Sequence, residues 1–452
     1  MAGYSLIQDD EIYSQTSDSV LSGDIHRDSF SDQAPLLEDV EEDSEVQYGS
    51  ASHFSCAINL SNTILGTGML AMPAAIASTG LLLGSIMIFY AASASALGLY
   101  FLSLAAVSTK GRNSSFFAVS KLTYPKAALF FDIAIAIKCF GVGISYLIII
   151  GDLMPQIVDS LVGSEKAAVF IDRQFWITIF MIIIVPLAFL KRLDSLRHTS
   201  LIALLAVIYL LFIVIYYFFG PEYQAPPKDK IHLIKFSSQF FTNLPIFVFA
   251  FTCHQNIFSI YNELEDNSQS SINGVIIGSI GTTSMIYQVI GILGYLSFGD
   301  DVSANIISMY ESSTIVTIGR IAIVILVLFS YPLQAHPARA CLDKVLLSLQ
   351  SRPDKIPRSP SGIRYILLTS GILIGSYIIA MLVSELDIVL AFVGSTGSTS
   401  VSFILPGLFY YKLNENSPWD TRKILSVCLA TYGIFVMTIC LTSNIYRVSY
   451  AL

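Results

Sequence analysis

The sequence predicts an all-α integral membrane protein with about eleven transmembrane helices. Three observations carry this. Of 452 residues, 54% are hydrophobic and 13% charged, about half the charged share of a soluble domain, and so few charges cannot cover a soluble fold of this size. Residues 81–107 form an uncharged run of 27, longer than the roughly 20 residues of helix that cross a bilayer core. Apolar runs of this kind recur at 54–78, 81–107, 128–153, 174–190, 199–220, 239–260, 272–297, 314–338, 363–384, 388–411 and 424–443, numbered here spans 1 to 11. This composition excludes an ordinary cytosolic enzyme, a nucleic-acid binder and a disordered scaffold.

Ahead of the spans, residues 1–50 hold 13 of the 33 acidic residues and one of the 25 basic ones. Rich in Ser, Asp and Glu and poor in bulky apolar residues, this arm is expected to be disordered. It has no apolar stretch, so no cleavable signal peptide is expected and span 1 serves as the membrane signal. Residues 51–445 form the transmembrane domain, and 446–452 a short lumenal carboxyl-terminal segment. The arm carries Asp32-Gln-Ala-Pro-Leu36-Leu37. Asp32, Leu36 and Leu37 fit the acidic dileucine pattern that clathrin-adaptor proteins read on cytosolic tails to send cargo to lysosomes or vacuoles.

Orientation follows from basic residues in the loops. With the amino terminus in the cytosol, 17 Lys and Arg lie on the cytosolic side and six on the other. Asn113-Ser-Ser115 matches a glycosylation acceptor, but falls on the cytosolic side in this topology. The six cysteines lie in apolar runs or at their ends, with no CxxC spacing, so neither a disulfide framework nor a metal site is expected.

Span 1 reads Asn59-Leu-Ser-Asn-Thr-Ile-Leu-Gly66-Thr67-Gly68-Met-Leu-Ala-Met-Pro73. Two glycines around a threonine, followed by proline, weaken the helix at mid-membrane depth. Amides freed there must line a cavity or bind something, and the new half-helix amino terminus suits a carboxylate. Close helix packing is the structural alternative.

Span 3 carries Lys138 in mid-run, in Ile137-Lys-Cys-Phe-Gly141. A charge there costs a few kcal/mol. Asp132 is a candidate partner, and a lysine snorkelling to the inner interface is the structural alternative.

In span 6, Phe249-Ala250-Phe251-Thr252-Cys253-His254-Gln255-Asn256 places a polar cluster within an apolar run, and such residues face a bundle interior. Spans 1 and 6 hold equivalent places if spans 1–5 and 6–10 form two halves, the signature of an inverted-repeat transporter with a midplane site.

Span 8 holds Ser330, whose hydroxyl suits a hard cation or a water, beside Pro332. Span 10, Gly394-Ser-Thr-Gly397-Ser-Thr-Ser-Val-Ser-Phe-Ile-Leu-Pro406, offers small residues for close contact or for a bending gate. His254 and His336 are proton-relay candidates because histidine titrates near physiological pH.

Several of these pieces resemble the amino acid/auxin permease family, near its sodium-coupled neutral amino acid transporters and fungal vacuolar amino acid transporters. They are Leu60 through Pro73, Phe249 through His254 with Tyr261-Asn-Glu-Leu264, Tyr331 through Arg339, Gly394 through Tyr411, and Gly141 to Pro155 with Ser145-Tyr146-Leu147. The likeness covers nearly all of residues 52–443. It implies a LeuT-type five-plus-five inverted repeat plus one helix, with substrate bound at the breaks of spans 1 and 6. Asn62 falls where sodium-coupled members place an ion-ligating asparagine, and Ser330 where they place a threonine; vacuolar relatives are typically proton-driven.

The combined expectation is a secondary active amino acid transporter of the vacuolar or lysosomal membrane. It needs no cofactor beyond a coupling ion, proton or sodium, and its partners are its amino acid substrate and membrane lipid. The carboxylate would be held by Gly66, Thr67 and Gly68, the ammonium by carbonyls of Phe249, Ala250, Phe251 and Thr252, and the side chain by Phe249, Phe251 and Tyr146. Asn62, Ser330, Lys138 and His254 are the ion- or proton-coupling candidates. The competing reading is an amino acid sensor that binds through the same fold and signals through its arm. No HExxH, Walker or GxSxG motif supports an enzyme.

Overall fold

The computed structural model describes residues 49–109, 112–162, 172–190, 199–221, 223–237, 239–349 and 362–451. The sorting residues Asp32, Leu36 and Leu37 lie outside them.

Span 1 is two helices. α1 (His53–Ile64) starts at Ser52, whose hydroxyl accepts from the Ser55 amide at 3.3 Å, an N-cap that satisfies one orphan donor. α2 (Thr67–Thr79) follows after Leu65 and Gly66, bent 55° from α1. Gly80 turns the chain into α3 (Leu81–Val107) with φ of +83°, a conformation that favours glycine.

Next come α4 (Phe116–Thr123), α5 (Ala128–Val162), α6 (Arg173–Ala188) and α7 (Thr199–Phe219). Span 6 is also interrupted: α8 (Gln239–Ala250) ends, Phe251–Cys253 is non-helical, and after a 3-10 turn at His254–Asn256 the chain resumes as α9 (Ile257–Glu263).

The second half continues with α10 (Gln269–Phe298), the short α11 (Ile306–Met309), α12 (Thr314–Leu349) and α13 (Gly362–Leu382). Span 10 runs from α14 (Leu386–Val393) through two π-helical turns, Gly394–Ser398 and Ser400–Ile404, into α15 (Leu405–Leu413). α16 (Thr421–Ala451) is the last helix.

Among the described residues nine helices are long and apolar enough to cross a membrane, ten when the bent pair counts as one span. The expected span missing from this count, span 4 (174–190), is helical, but α6 has only 16 residues. It reaches about 24 Å, short of a hydrocarbon core of about 30 Å. Other helices outrun their apolar runs: α12 extends to Leu349 and α16 to Ala451, because apolarity marks the lipid depth and not the helix end.

Spans 3 and 6 form the interior. Their most apolar windows are 83% buried in protein, against 28% for spans 5 and 9, whose apolar side chains face outward. The buried cation Arg320 in α12 is satisfied by the chain just ahead of that helix. It donates to the carbonyl of Tyr310 (2.7 Å) and to Ser312 Oγ (2.9 Å), pinning residues 306–312 over the bundle.

Candidate substrate site

The two breaks meet. A Cβ added to Gly68 would lie 2.8 Å from Ala250 Cα, so the start of α2 packs directly on the end of α8. Asn256 Nδ2 donates to Thr63 Oγ1 at 2.8 Å, tying α9's start to α1's end. Tyr287 of α10 is fully buried, and its hydroxyl reaches both broken ends: Ile64 O at 2.5 Å and Ala250 O at 3.1 Å. The amides of Thr67 and Gly68 open α2 and have no preceding helical turn to donate to.

A cavity of about 20 Å³ lies at this junction, room for about one water. Span 1 contributes Thr63, Ile64, Gly66, Thr67 and Gly68; α5 contributes Lys138, Val142 and Tyr146; span 6 contributes Phe249 and Thr252; α12 contributes Gln334. Lys138, Val142 and Tyr146 are spaced four apart, one face of a helix. A Cβ on Gly66 would meet nothing within 4 Å, so that position opens onto free space.

Of the residues expected to hold substrate, Gly66, Thr67, Gly68, Tyr146, Phe249 and Thr252 share this cavity. The structure does not bring Ala250 and Phe251 there. Ala250 is the packing surface for Gly68. Phe251 stacks edge-on against Tyr287 at 5.1 Å, and its carbonyl accepts from Ser95 Oγ at 2.8 Å.

The coupling candidates separate as well. Lys138 is 3% exposed and lines the cavity, which replaces the snorkelling reading. Asp132 is not its partner: that carboxylate lies 3.9 Å from Lys344. Asn62 stands in the last turn of α1. Ser330 lies on α12 beside the Tyr146 hydroxyl. His254 is fully buried away from the cavity. Its Nε2 donates to Ser95 O (3.1 Å), so in the neutral ring Nδ1 accepts from Ser402 Oγ (3.0 Å). His254 thus ties spans 2, 6 and 10 together, with Ser402 Oγ 3.2 Å from Thr252 Oγ1. His336 Nδ1 accepts from Arg339 Nη2 at 2.9 Å, a pair that i,i+3 spacing alone could have suggested.

Sequence reasoning missed Tyr287 and Gln334. The Gln334 Oε1 is buried with no hydrogen bond among the described residues, an acceptor available to the cavity. It also missed a vestibule of about 970 Å³ at the end of the bundle where α2 finishes. Asp152, Asn305 and Ser78 line it, and ion pairs rim it: Lys235–Asp300 at 2.8 Å and Arg447–Asp387 at 2.8 Å.

Paired broken helices meeting at one cavity, within a bundle of long apolar helices, are the architecture of a LeuT-type membrane transporter. Solved structures agree on the fold: Mhp1 in its inward-facing conformation (TM-score 0.57, 12% identity, 89% of this chain and 92% of that one) and MhsT in complex with L-phenylalanine (0.58, 13%, 88% and 99%). Residues 49–448 match the model of the transmembrane amino acid transporter proteins, and the chain belongs to that family. Its relatives include vacuolar amino acid transporter 5 of Schizosaccharomyces pombe, 46% identical over 418 residues, covering 90% of this chain and 97% of the relative. Vacuolar amino acid transporter 5 of Saccharomyces cerevisiae is 37% identical (87% and 97%), and the sodium-coupled neutral amino acid symporter 2 of Danio rerio 27% (88% and 82%).

Proposed function

We propose that this protein is a secondary active amino acid transporter of the vacuolar membrane, coupled to protons, working by alternating access with substrate held at the breaks of spans 1 and 6. The contact of Gly68 with Ala250 at the cavity carries this reading. It brings the positive end of α2 and the carbonyl end of α8 to one point, the two polarities that a zwitterion needs. The amides of Thr67 and Gly68 take the carboxylate, the main-chain carbonyls of Phe249 and Thr252, the span 6 residues on the cavity, take the ammonium, and Tyr146 and Phe249 face the side chain. Lys138, the one cation among the described residues lining the cavity, is the leading proton-coupling group; His254 acts by holding the span 6 break. Asn62 and Ser330 are the residues through which sodium would act instead.

The vacuolar assignment is supported by the names of the yeast relatives. The basic residues of the loops support a cytosolic amino terminus, which makes the vestibule lumenal and the substrate cavity closed toward the cytosol. Uptake of a labelled amino acid panel into proteoliposomes, under imposed proton or sodium gradients, tests the proposal. Proton-driven flux supports it; binding without flux would favour a sensor.

A further inference from the structure

The end of the bundle opposite the vestibule is closed by main-chain contacts. The Ala51 amide donates to Glu263 O at 2.9 Å, and the Glu265 amide donates to Ala51 O at 3.0 Å. This parallel bridge joins the residues just before α1 to those just after α9. Arg112, from the loop between spans 2 and 3, lies across it. Its Nη1 donates to Asn262 O (3.0 Å) and to Leu264 O, and its Nη2 to Glu265 O (2.8 Å). A Cβ on Gly49 would strike the guanidinium and the carbonyls of Glu263 and Leu264, so the strap can run there because the residue is glycine. Beside it the Asn262 side chain and the Ser114 backbone exchange two bonds, 3.1 and 2.9 Å.

One guanidinium thus ties the end of span 2 to the end of span 6, beside the Ala51 bridge that brings in span 1. α1 runs from this bridge to Thr63 and Ile64 on the cavity, and α9 runs from it to the span 6 break. A solute can leave the cavity at this end only if α1 and α9 part. Charge-assisted bonds from a planar fork onto three carbonyls are strong and directional. They are also cheap to exchange for water at a half-exposed site, as a reversible contact needs.

We propose that Arg112 is the latch of the cytosolic gate, a positioning residue that fixes the end of α9 where Ala51, just ahead of α1, pairs with it while the vestibule is open, and that releases when the cavity opens to the other side. This rests on reading the cavity as the substrate site. Cys56, 2% exposed in the first turns of α1 and close to Glu263, is a natural reporter of that opening.

The test is the rate at which a membrane-impermeant maleimide labels Cys56 in the full-length reconstituted protein, read at that residue by mass spectrometry. In Arg112→Gln the rate should rise at least about tenfold, since bonds to a charged group are worth that much or more, while the melting temperature holds. Arg112→Lys, which keeps charge but loses the fork, should fall between. A wild-type rate in a folded Arg112→Gln overturns the latch. If that variant does not fold, Arg112→Lys stands alone: labelling faster than wild type supports the latch and a wild-type rate overturns it. Labelling needs no substrate. A protein with no flux that labels faster therefore contradicts the transport reading alone, and normal flux with unchanged labelling contradicts the latch alone.

Discussion

The hydroxyl of Tyr287 donates to the carbonyl of Ile64 at 2.5 Å and stands 3.1 Å from that of Ala250. One side chain of span 7 therefore covers the carbonyls that both helix breaks expose. Tyr287→Phe keeps the ring against Phe251 and removes only the hydroxyl. Leaving buried carbonyls unpaired should cost about 1–3 kcal/mol. A lowered melting temperature in detergent, with reduced uptake, is the expected outcome; unchanged values for both would show that the bridge carries no energy.

Gly68 tests the packing of the breaks. Its Cβ position lies 2.8 Å from Ala250 Cα, closer than real Cβ contacts come. Gly68→Ala should force α2 and α8 apart and destabilise by about 1–3 kcal/mol. Thermal unfolding of the purified variant checks this, and wild-type stability would contradict the close approach.

Lys138 is buried at the cavity, with no ion pair among the described residues. If it carries the coupling proton, Lys138→Met should abolish the stimulation of uptake by an imposed proton gradient, leaving exchange of labelled for unlabelled substrate measurable. Proton dependence equal to wild type would remove Lys138 and direct attention to Asn62 and Ser330.

The dileucine reading predicts a change of address without a change of chemistry. Replacing Leu36 and Leu37 by alanine should move the protein from the vacuolar membrane to the cell surface, seen by fluorescence microscopy of a tagged chain. Unaltered localisation would discard the motif.

The breaks themselves were legible in the sequence because their cause is local. Gly66-Thr67-Gly68 and the polar run from Thr252 to Asn256 weaken a helix wherever it lies. Lys138 was visible as a charge, but its surroundings were not: the Asp132 six residues away pairs with Lys344 on another helix. Tyr287, Ser95, Ser402 and Arg112 gave no signal. Each bonds at least one partner more than a hundred residues away in sequence, mostly main-chain carbonyls, and a carbonyl acceptor leaves no mark on residue type. The vestibule is a shape made by packing, and no residue pattern announces it.

The most direct measurement is substrate flux through Gly66→Leu. The Cβ position at Gly66 is free, with nothing within 4 Å, so this variant should fold and reach its membrane. Its side chain would then fill the space between the two breaks. The account predicts wild-type abundance with at least about a hundredfold loss of amino acid uptake, about 2.7 kcal/mol of lost transport competence. Wild-type uptake by Gly66→Leu would place the substrate elsewhere.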